Sequence, residues 1–398
     1  MTVREAAPKA VALTGDEAVA EAVRQCDVDV VAAYPITPQT IMVEELSEYY
    51  AGGKFKGEFV PVESEHSALS ACMGASAAGA RVFTATSSQG LAYMHEMLYN
   101  ASGMRLPVVM AVANRALSAP LVLNADHSDM MGSRDSGWIQ VYAEDVQEIY
   151  DRTIQLFRIS EDPRVRLPSA LNFEGFILSH DKERLNVLED DAVKKFVGRP
   201  GSPNVLDPAA PTTFGAMTGP DNYFEFKMQQ AEAMKNVPGV FAEVEEKYAA
   251  ISGRRHGLLD AYNTENADRI VVVNGCASGT IRYAARQFNR EAKSGETVGV
   301  LAIKLYRPFP AAEILRELEG AKSVIVLDRS LSLGAPSGPM AEDITTALSQ
   351  AGMDIPVKSA AYSIGGRDFS PADARKIFTL AGEGPSRSSG PVMYGVEG

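Results

Sequence analysis

Three polar side chains in the first third of the chain are of types that could do chemistry. Glu65, Arg115 and Thr37 each come soon after a short apolar run that predicts a strand buried on both faces. A carboxylate can hold or move a proton, a guanidinium presents a planar fork that fits a carboxylate, and a hydroxyl can orient one. Each residue also has an ordinary structural explanation: an acid in a first helical turn, a salt bridge and a helix N-cap, respectively.

A further polar cluster, Asp-His-Ser-Asp at 126–129, falls on a predicted long loop. A lone histidine in such a loop is more often a surface residue that forms hydrogen bonds than a catalyst. The sequence therefore favours a surface position for His127.

The segments that must position these residues alternate between strand and helix. Apolar runs predict strands at 10–13, 28–33, 59–62, 82–86 and 107–113. Thr14 can cap the first helix, and Thr37, with Pro38 at the first helical position, can cap the second. Ligands bind at the carboxyl ends of parallel strands. We therefore expect a shared edge for four loops: 34–37, 63–66, 87–90 and 114–115.

The second half of the chain repeats this alternation after an interruption. Frequent Pro and Gly over 199–220 predict a linker, and a polar helix is predicted over 226–251. The following strands are expected at 269–274, 297–304 and 323–328, and the helices at 280–293, 311–318 and 340–351. The turn at 275–279 could bind a ligand. We predict an α/β fold with two open parallel-sheet domains. Their limits are 1–198 for the first domain, 199–255 for a linker and connecting helix, 256–380 for the second domain, and 381–398 for an irregular tail.

Composition excludes several classes of function. The net charge of −13 makes nucleic acid a poor partner, and no apolar run is long enough for a membrane span. The first residues have no secretory signal, and Cys26, Cys72 and Cys276 form no CxxC pair, which favours a cytoplasmic protein. The motifs GxxxxGK[ST], GxGxxG and GxSxG do not occur, so the usual signatures of an ATPase, a dinucleotide-binding dehydrogenase and a serine hydrolase are missing.

An ordered set of motifs resembles the α subunit of multi-subunit 2-oxoacid:ferredoxin oxidoreductases, of which pyruvate:ferredoxin oxidoreductase is the best-known member. The motifs are YPITPQT at 34–40, VESEHSA at 62–68, TSSQGL at 86–91, ANRALSAP at 113–120, DHSDMMGSRDSGWIQ at 126–140 and VLDRSLSLGAPSGPM at 326–340. The resemblance covers nearly the whole chain. It implies a pyrimidine-binding domain of the thiamine diphosphate type followed by a domain like the C-terminal domain of transketolase.

The resemblance also implies roles for four residues. Glu65, the second acid of VESE, matches the glutamate that binds the aminopyrimidine ring of thiamine diphosphate and promotes deprotonation of the thiazolium carbon. Thr37 and Arg115 match the residues that hold the carboxylate of the 2-oxoacid. Pro35 falls where the backbone of the family lies against the cofactor. No metal ligand is implied on this chain.

What the chain lacks implies partner subunits. Thiamine diphosphate enzymes anchor the diphosphate through Mg²⁺ and a GDG…N motif, and GDG does not occur here. There is no iron–sulfur motif either. The resemblance therefore implies a hetero-oligomer with a subunit carrying the diphosphate-binding domain, a ferredoxin-type iron–sulfur subunit and a γ-type subunit. It implies an active site at a subunit interface and coenzyme A (CoA) as co-substrate.

One position departs from the pattern of the family. Asn124 stands where the family commonly has a bulky aromatic residue before the DHSD element. If Asn124 and Leu123 line the substrate pocket, an aryl-glyoxylate or a branched 2-oxoacid is an alternative to pyruvate. A catalytically silent scaffold subunit is a further alternative, which intact Glu65, Thr37 and Arg115 argue against. A nucleotide-binding module and a single-chain decarboxylase are disfavoured by the missing phosphate-binding motifs.

Overall fold

The computed structural model describes residues 9–199, 201, 204–291, 297–382 and 390–396. Its strands are β1 (Lys9–Leu13), β2 (Val30–Ala33), β3 (Glu58–Pro61), β4 (Val82–Thr86), β5 (Val108–Asn114), β6 (Ile139–Tyr142), β7 (Ser169–Glu174), β8 (Glu183–Val187), β9 (Leu259–Tyr262), β10 (Arg269–Val273), β11 (Val298–Ile303), β12 (Leu305–Arg307), β13 (Ser323–Asp328), β14 (Val357–Ala361) and β15 (Val392–Met393).

Its helices are α1 (Gly15–Gln25), α2 (Thr40–Ala51), α3 (Glu65–Ala77), α4 (Ser88–Tyr93), α5 (His95–Gly103), α6 (Ser128–Met131), α7 (Val146–Glu161), α8 (Asp190–Val197), α9 (Pro220–Ser252), α10 (Ala277–Glu291), α11 (Ala311–Leu318), α12 (Pro339–Gln350) and α13 (Pro371–Gly382). Two short 3₁₀ turns lie at Thr264–Asn266 and Ile364–Gly366.

The first sheet has the strand order β12-β6-β7-β5-β4-β2-β3 and is parallel except at β12. The predicted open sheet is confirmed, and β4, β5 and β7 are buried along their whole length. Helices α1, α7 and α9 pack on one face, and α3 and α5 on the other. Strands buried on both faces must be apolar throughout, which is why continuous apolar runs predict them.

The predicted first strand does not belong to this sheet. Strand β1 pairs antiparallel with β8 in a separate two-stranded sheet. Its side chains are largely exposed or half-buried, whereas a central parallel strand is buried on both faces. The prediction that β1 extends the parallel sheet is therefore wrong.

The second sheet has the order β15-β14-β13-β10-β11-β9 and is parallel except at β9. Strand order reverses between β10 and β13, so this gap is a topological switch point, where doubly wound sheets usually bind ligands. Strand β12, which follows β11 directly, leaves this sheet and pairs antiparallel with β6 of the first sheet. The two sheets are thus tied together by the backbone, and the domain limits given above stay a prediction.

The connecting helix α9 is longer than predicted. It begins at Pro220, where the missing N–H costs nothing, and ends at Ser252, followed by Gly253, whose φ of +72° is left-handed. Pro238 lies inside it. No helix among the described residues is both long and apolar enough to cross a membrane.

Two predicted irregular segments are only partly described. Pro200 and Pro203 of the predicted linker lie outside the described residues, as do 383–389 and 397–398 of the predicted tail. Within the tail, Val392–Met393 is not irregular but forms the edge strand β15 beside β14. The unpaired backbone groups of an edge strand such as β14 favour this pairing.

Candidate active site

The loops that follow β2, β3, β4 and β5 meet at the carboxyl edge of the first sheet. The Arg115 guanidinium donates from Nη1 to the Thr37 carbonyl oxygen at 2.7 Å and from Nη2 to Gln89 Oε1 at 2.5 Å. A Cβ atom built on Gly90 would lie 2.7 Å from Glu65 Oε1, so the Glu65 side chain crosses directly over Gly90. The structure therefore brings the segments of Glu65, Arg115 and Thr37 together, as expected.

Glu65 is the first residue of α3, at the edge of the sheet. Ser64 precedes it as N-cap, and its hydroxyl accepts a hydrogen bond from the Ser67 backbone N–H at 3.2 Å. Glu65 is buried, with 8% of the residue exposed, and no described residue donates a hydrogen bond to its carboxylate. The carboxylate is therefore held in place and remains able to accept a hydrogen bond from a ligand.

Arg115 is also buried (6% exposed). Burial lowers its pKa, and the negative charges of Asp129 and Glu65 oppose this effect. A guanidinium stays protonated in proteins and has five N–H donors, of which two bind Thr37 and Gln89 here. Its Nε has no partner among the described residues. Arg115 is therefore fixed by the protein and keeps N–H donors for a ligand.

The prediction that Thr37 caps a helix is wrong. Helix α2 begins at Thr40, and Gln39, which precedes it, makes no capping hydrogen bond with its side chain. A turn intervenes, because the Gln39 N–H donates to the Ile36 carbonyl at 2.9 Å and the Gln39 side-chain amide donates to the Tyr34 carbonyl at 2.9 Å. Thr37 is exposed, as is Pro35, and no described residue bonds the Thr37 hydroxyl.

Asp129 is a residue of the site that the sequence did not single out. Its buried carboxylate accepts hydrogen bonds from the backbone N–H groups of Ser88 and Arg115, both at 3.0 Å, and from the Asn114 amide at 2.8 Å. Burial raises the Asp129 pKa, and these hydrogen bonds oppose the rise. Asp129 thus joins two loops of the site. Its only signal in the sequence was its place in the DHSD cluster.

His127 is not at the surface, so that prediction is wrong. It is fully buried, and its Nε2 lies 3.1 Å from Oε1 of Glu174, which is also fully buried. Burial by itself would raise the Glu174 pKa, but the hydrogen bond from His127 and the charges of His127 and Arg329 lower it to about 2. The histidine is buried because it has a charged partner from β7, and no local pattern in the sequence predicts that pairing.

The described residues contain no group of three or more His, Cys, Asp or Glu side chains that could hold a metal ion. Cys26, Cys72 and Cys276 are free thiols.

Two family descriptions match this chain. Residues 21–246 match the thiamine diphosphate-binding domain of the pyruvate flavodoxin/ferredoxin oxidoreductase family, and residues 267–374 match core domain II of pyruvate:ferredoxin oxidoreductase.

Curated relatives match over nearly their full length. Pyruvate synthase subunit PorA of Thermotoga maritima is 48% identical over 370 residues, which are 92% of this chain and 93% of that protein. Ketoisovalerate oxidoreductase subunit VorA of Pyrococcus abyssi is 39% identical over 368 residues, which are 92% of this chain and 91% of that protein.

Among solved structures, the fold is similar to that of 2-oxoglutarate:ferredoxin oxidoreductase from Magnetococcus marinus, with a TM-score of 0.71 and 20% identity. That match covers 94% of this chain and 65% of the other. A split-gene transketolase is more distant, with a TM-score of 0.55 and 12% identity, and it covers 93% of this chain and 98% of the other. Both likenesses concern the fold.

Proposed function

The chain belongs to the pyruvate flavodoxin/ferredoxin oxidoreductase family, and from this premise we propose that it is the subunit that faces the aminopyrimidine ring of thiamine diphosphate in a 2-oxoacid:acceptor oxidoreductase. The complex converts a 2-oxoacid, pyruvate first, and CoA to acyl-CoA and CO2, or runs the reverse reaction. The observation that carries the proposal is the buried Glu65 carboxylate, which accepts no hydrogen bond from any described residue and stands beside Arg115.

The residues at the sheet edge fit thiamine diphosphate. The Glu65 carboxylate is free to accept a hydrogen bond, and Gly90 leaves room where any Cβ atom would meet that carboxylate. Glu65 would bind a protonated ring nitrogen of the aminopyrimidine, and the backbone at Pro35 would lie against the ring. When bound, the cofactor supplies a nucleophilic carbon that adds to the 2-oxo carbon and takes up the electron pair released as CO2 leaves.

The role of Glu65 in this reaction is to stabilise a proton on the aminopyrimidine ring. A carboxylate hydrogen-bonded to a ring nitrogen stabilises the protonated ring, because it compensates the positive charge in a site shielded from water. Arg115 and the Thr37 hydroxyl bind the substrate carboxylate. Arg115 suits this task, since two protein acceptors already fix the plane of its guanidinium before substrate arrives.

Partner subunits complete the site. The chain has no GDG…N motif and no iron–sulfur motif, so we assign Mg²⁺ and the diphosphate to a subunit with a diphosphate-binding domain. The electrons leave through clusters on a ferredoxin-type subunit, and a γ-type subunit completes the assembly. Exposed apolar side chains in the segments that form the edge, at Tyr34, Tyr93, Leu121 and Leu123, suit coverage by another subunit. The free thiols favour a cytoplasmic location.

The choice of 2-oxoacid stays open between pyruvate and a bulkier acid. Relatives of both the pyruvate and the ketoisovalerate type are similar to this chain. Asn124 is exposed, and its Cβ lies close to Gly366, because a Cβ atom on Gly366 would lie 2.2 Å from it.

The test is to purify the native complex through a tag on this chain and measure acceptor reduction. We expect co-purification of a GDG…N protein and a CxxCxxC protein, and CoA-dependent turnover with pyruvate and, more slowly, with a branched 2-oxoacid. Phenylglyoxylate is the third substrate to compare. A complex that turns over none of the three would contradict the proposal and leave the scaffold alternative.

A further inference from the structure

The second sheet contacts the loop that adjoins the candidate substrate site. We call residues 121–129 the substrate-side segment. The Asp126 carboxylate accepts a hydrogen bond from the Gly365 backbone N–H at 3.2 Å, and the His127 backbone N–H donates to the Arg329 carbonyl at 2.8 Å. Asn124 packs on Gly366 in the same turn. The segment therefore has three successive anchors on loops that follow strands of the second sheet.

A buried charge cluster reinforces these anchors. Glu174, at the carboxyl end of β7, accepts hydrogen bonds from His127 Nε2 and from the Cys276 backbone N–H, each at 3.1 Å. Arg329 Nη1 lies 3.5 Å from the same carboxylate. All of these groups except Cys276 are almost fully buried, and an unpaired charge in such a place would be strongly unfavourable. The cluster therefore favours one arrangement of the two sheets around His127.

The same cluster occupies the turn at 275–279, which from the sequence could bind a ligand. Gly275 and Cys276 follow β10 at the switch point of the second sheet and lead into α10. Glu174 of the first sheet occupies this position, since a Cβ atom on Gly275 would come 2.0 Å from its Oε1. A carboxylate at a helix N-terminus is favourable. Doubly wound domains usually bind a ligand at the switch point. Here the Glu174 side chain of the first sheet fills that position.

The substrate-side segment also holds Arg115. Asp129 binds the Arg115 and Ser88 backbone N–H groups, as described above. In addition, the Leu117 N–H donates to Ser128 Oγ at 3.0 Å and the Ala116 N–H donates to the Asn124 carbonyl at 3.2 Å. Three consecutive residues, Arg115 to Leu117, therefore take their backbone positions from the segment that the second sheet anchors.

We propose that the second domain positions the substrate-binding arginine. Its turn at 363–367 and Arg329 fix the substrate-side segment. Asp129 of that segment then fixes Arg115 by accepting a hydrogen bond from the Arg115 backbone N–H. This inference rests on the proposed function for the role of Arg115. Asp126, His127, Glu174 and Gly366 are then positioning residues for 2-oxoacid binding. Their effect acts on the substrate carboxylate and not on CoA.

Two variants of the native complex test this proposal. Asp126→Asn keeps the Oδ1 bond to the Ser128 N–H but turns an amide toward the Gly365 N–H, so one anchor is lost. Gly366→Ala adds a Cβ atom that collides with Asn124 at a backbone φ of +81°. For each we expect the KM for the 2-oxoacid to rise by roughly 3- to 10-fold, the change that the loss of about one hydrogen bond gives, with the KM for CoA unchanged.

Arg282→Gln is the matched control. Arg282 on α10 forms an ion pair across the two sheets with Glu144, at 2.9 and 3.0 Å, away from the substrate-side segment. It should lower the melting temperature of the complex without changing the KM for the 2-oxoacid. If Asp126→Asn and Gly366→Ala change that KM no more than Arg282→Gln does, the proposal is wrong.

Hydrogen exchange separates this proposal from the proposed function. In Asp126→Asn the backbone amides of 114–131 should exchange at least about threefold faster than in the wild type, and in Arg282→Gln they should not. This readout needs no turnover. An inactive wild-type complex would overturn the proposed function alone, whereas unchanged exchange at 114–131 would overturn the positioning role.

Discussion

Replacing Glu65 by Gln lowers the turnover of the assembled complex by roughly 10²- to 10⁴-fold, the usual effect of removing a positioned acid–base group. The amide keeps the shape of the side chain above Gly90 but carries no charge to stabilise a protonated ring nitrogen. Folding should change little, because no described residue donates a hydrogen bond to the Glu65 carboxylate. Steady-state kinetics and the melting temperature of the complex check both parts of this expectation.

Glu63→Gln is the matched control for Glu65→Gln. Glu63 lies two residues earlier in the same turn, is exposed, and its carboxylate accepts a hydrogen bond from the Ser67 hydroxyl. That variant should retain nearly normal turnover. If Glu65→Gln assembles with its partners and is as active as Glu63→Gln, then Glu65 is only a helix-dipole carboxylate.

The second large effect is expected for Arg115→Lys. A lysine keeps the charge but cannot bind Thr37, Gln89 and a substrate carboxylate in one plane. Losing a hydrogen bond to a charged group costs about 1.5–3 kcal/mol, so kcat/KM for the 2-oxoacid should fall by roughly 10- to 150-fold. Initial rates over a range of 2-oxoacid concentrations measure this fall, with most of it expected in KM.

Two further variants help to interpret the Arg115→Lys result. Thr37→Val should have a milder effect, of about 0.5–1.5 kcal/mol, since it removes one neutral hydrogen bond to substrate. It should not destabilise the protein as the loss of a cap would, because Thr37 does not cap α2. Arg164→Lys, in an exposed ion pair ahead of β7, controls for the substitution itself. Unchanged kcat/KM in both Arg115→Lys and Thr37→Val would show that the substrate carboxylate is bound elsewhere.

The sequence predicted those parts of the fold that depend on local pattern. The apolar runs that became β2, β4, β5, β10 and β13 are buried on both faces, and so their composition alone identifies them. Strand β7 was not predicted, because buried Asn172 and Glu174 interrupt its apolar character. These polar side chains are tolerated there because distant residues satisfy them, as when the Asn172 amide donates to the Val141 carbonyl.

Helix α7 was missed for a related reason. It buries the charged residues Glu148, Asp151 and Arg152, which read as a solvated face in the sequence. Glu148 and Arg152 pair with each other at 3.3 Å, but other partners lie more than a hundred residues away: Lys304 Nζ is 2.7 Å from Glu148, and the Arg254 guanidinium is 2.7 Å from Asp151. No local pattern in the sequence predicts ion pairs between such distant residues. None predicted that β12 would join the first sheet either.

The candidate site, too, could be predicted only in part from the sequence. The meeting of Glu65, Arg115 and Thr37 could be predicted, because the carboxyl ends of parallel strands in one sheet share an edge. The buried residues that support these three side chains could not be predicted. Asp129 and the pairing of His127 with Glu174 depend on which loops the folded chain brings together, and spacing along the sequence carries no information on that.

The central claim is that this chain forms only half of a thiamine diphosphate site, and cofactor binding tests it most directly. Isothermal titration calorimetry would be run with thiamine diphosphate and Mg²⁺ on the purified chain and on the assembled complex. We expect tight, Mg²⁺-dependent binding to the complex and weak or undetectable binding to the chain alone, which lacks the GDG…N anchor for the diphosphate. Tight, Mg²⁺-dependent binding to the isolated chain would contradict it.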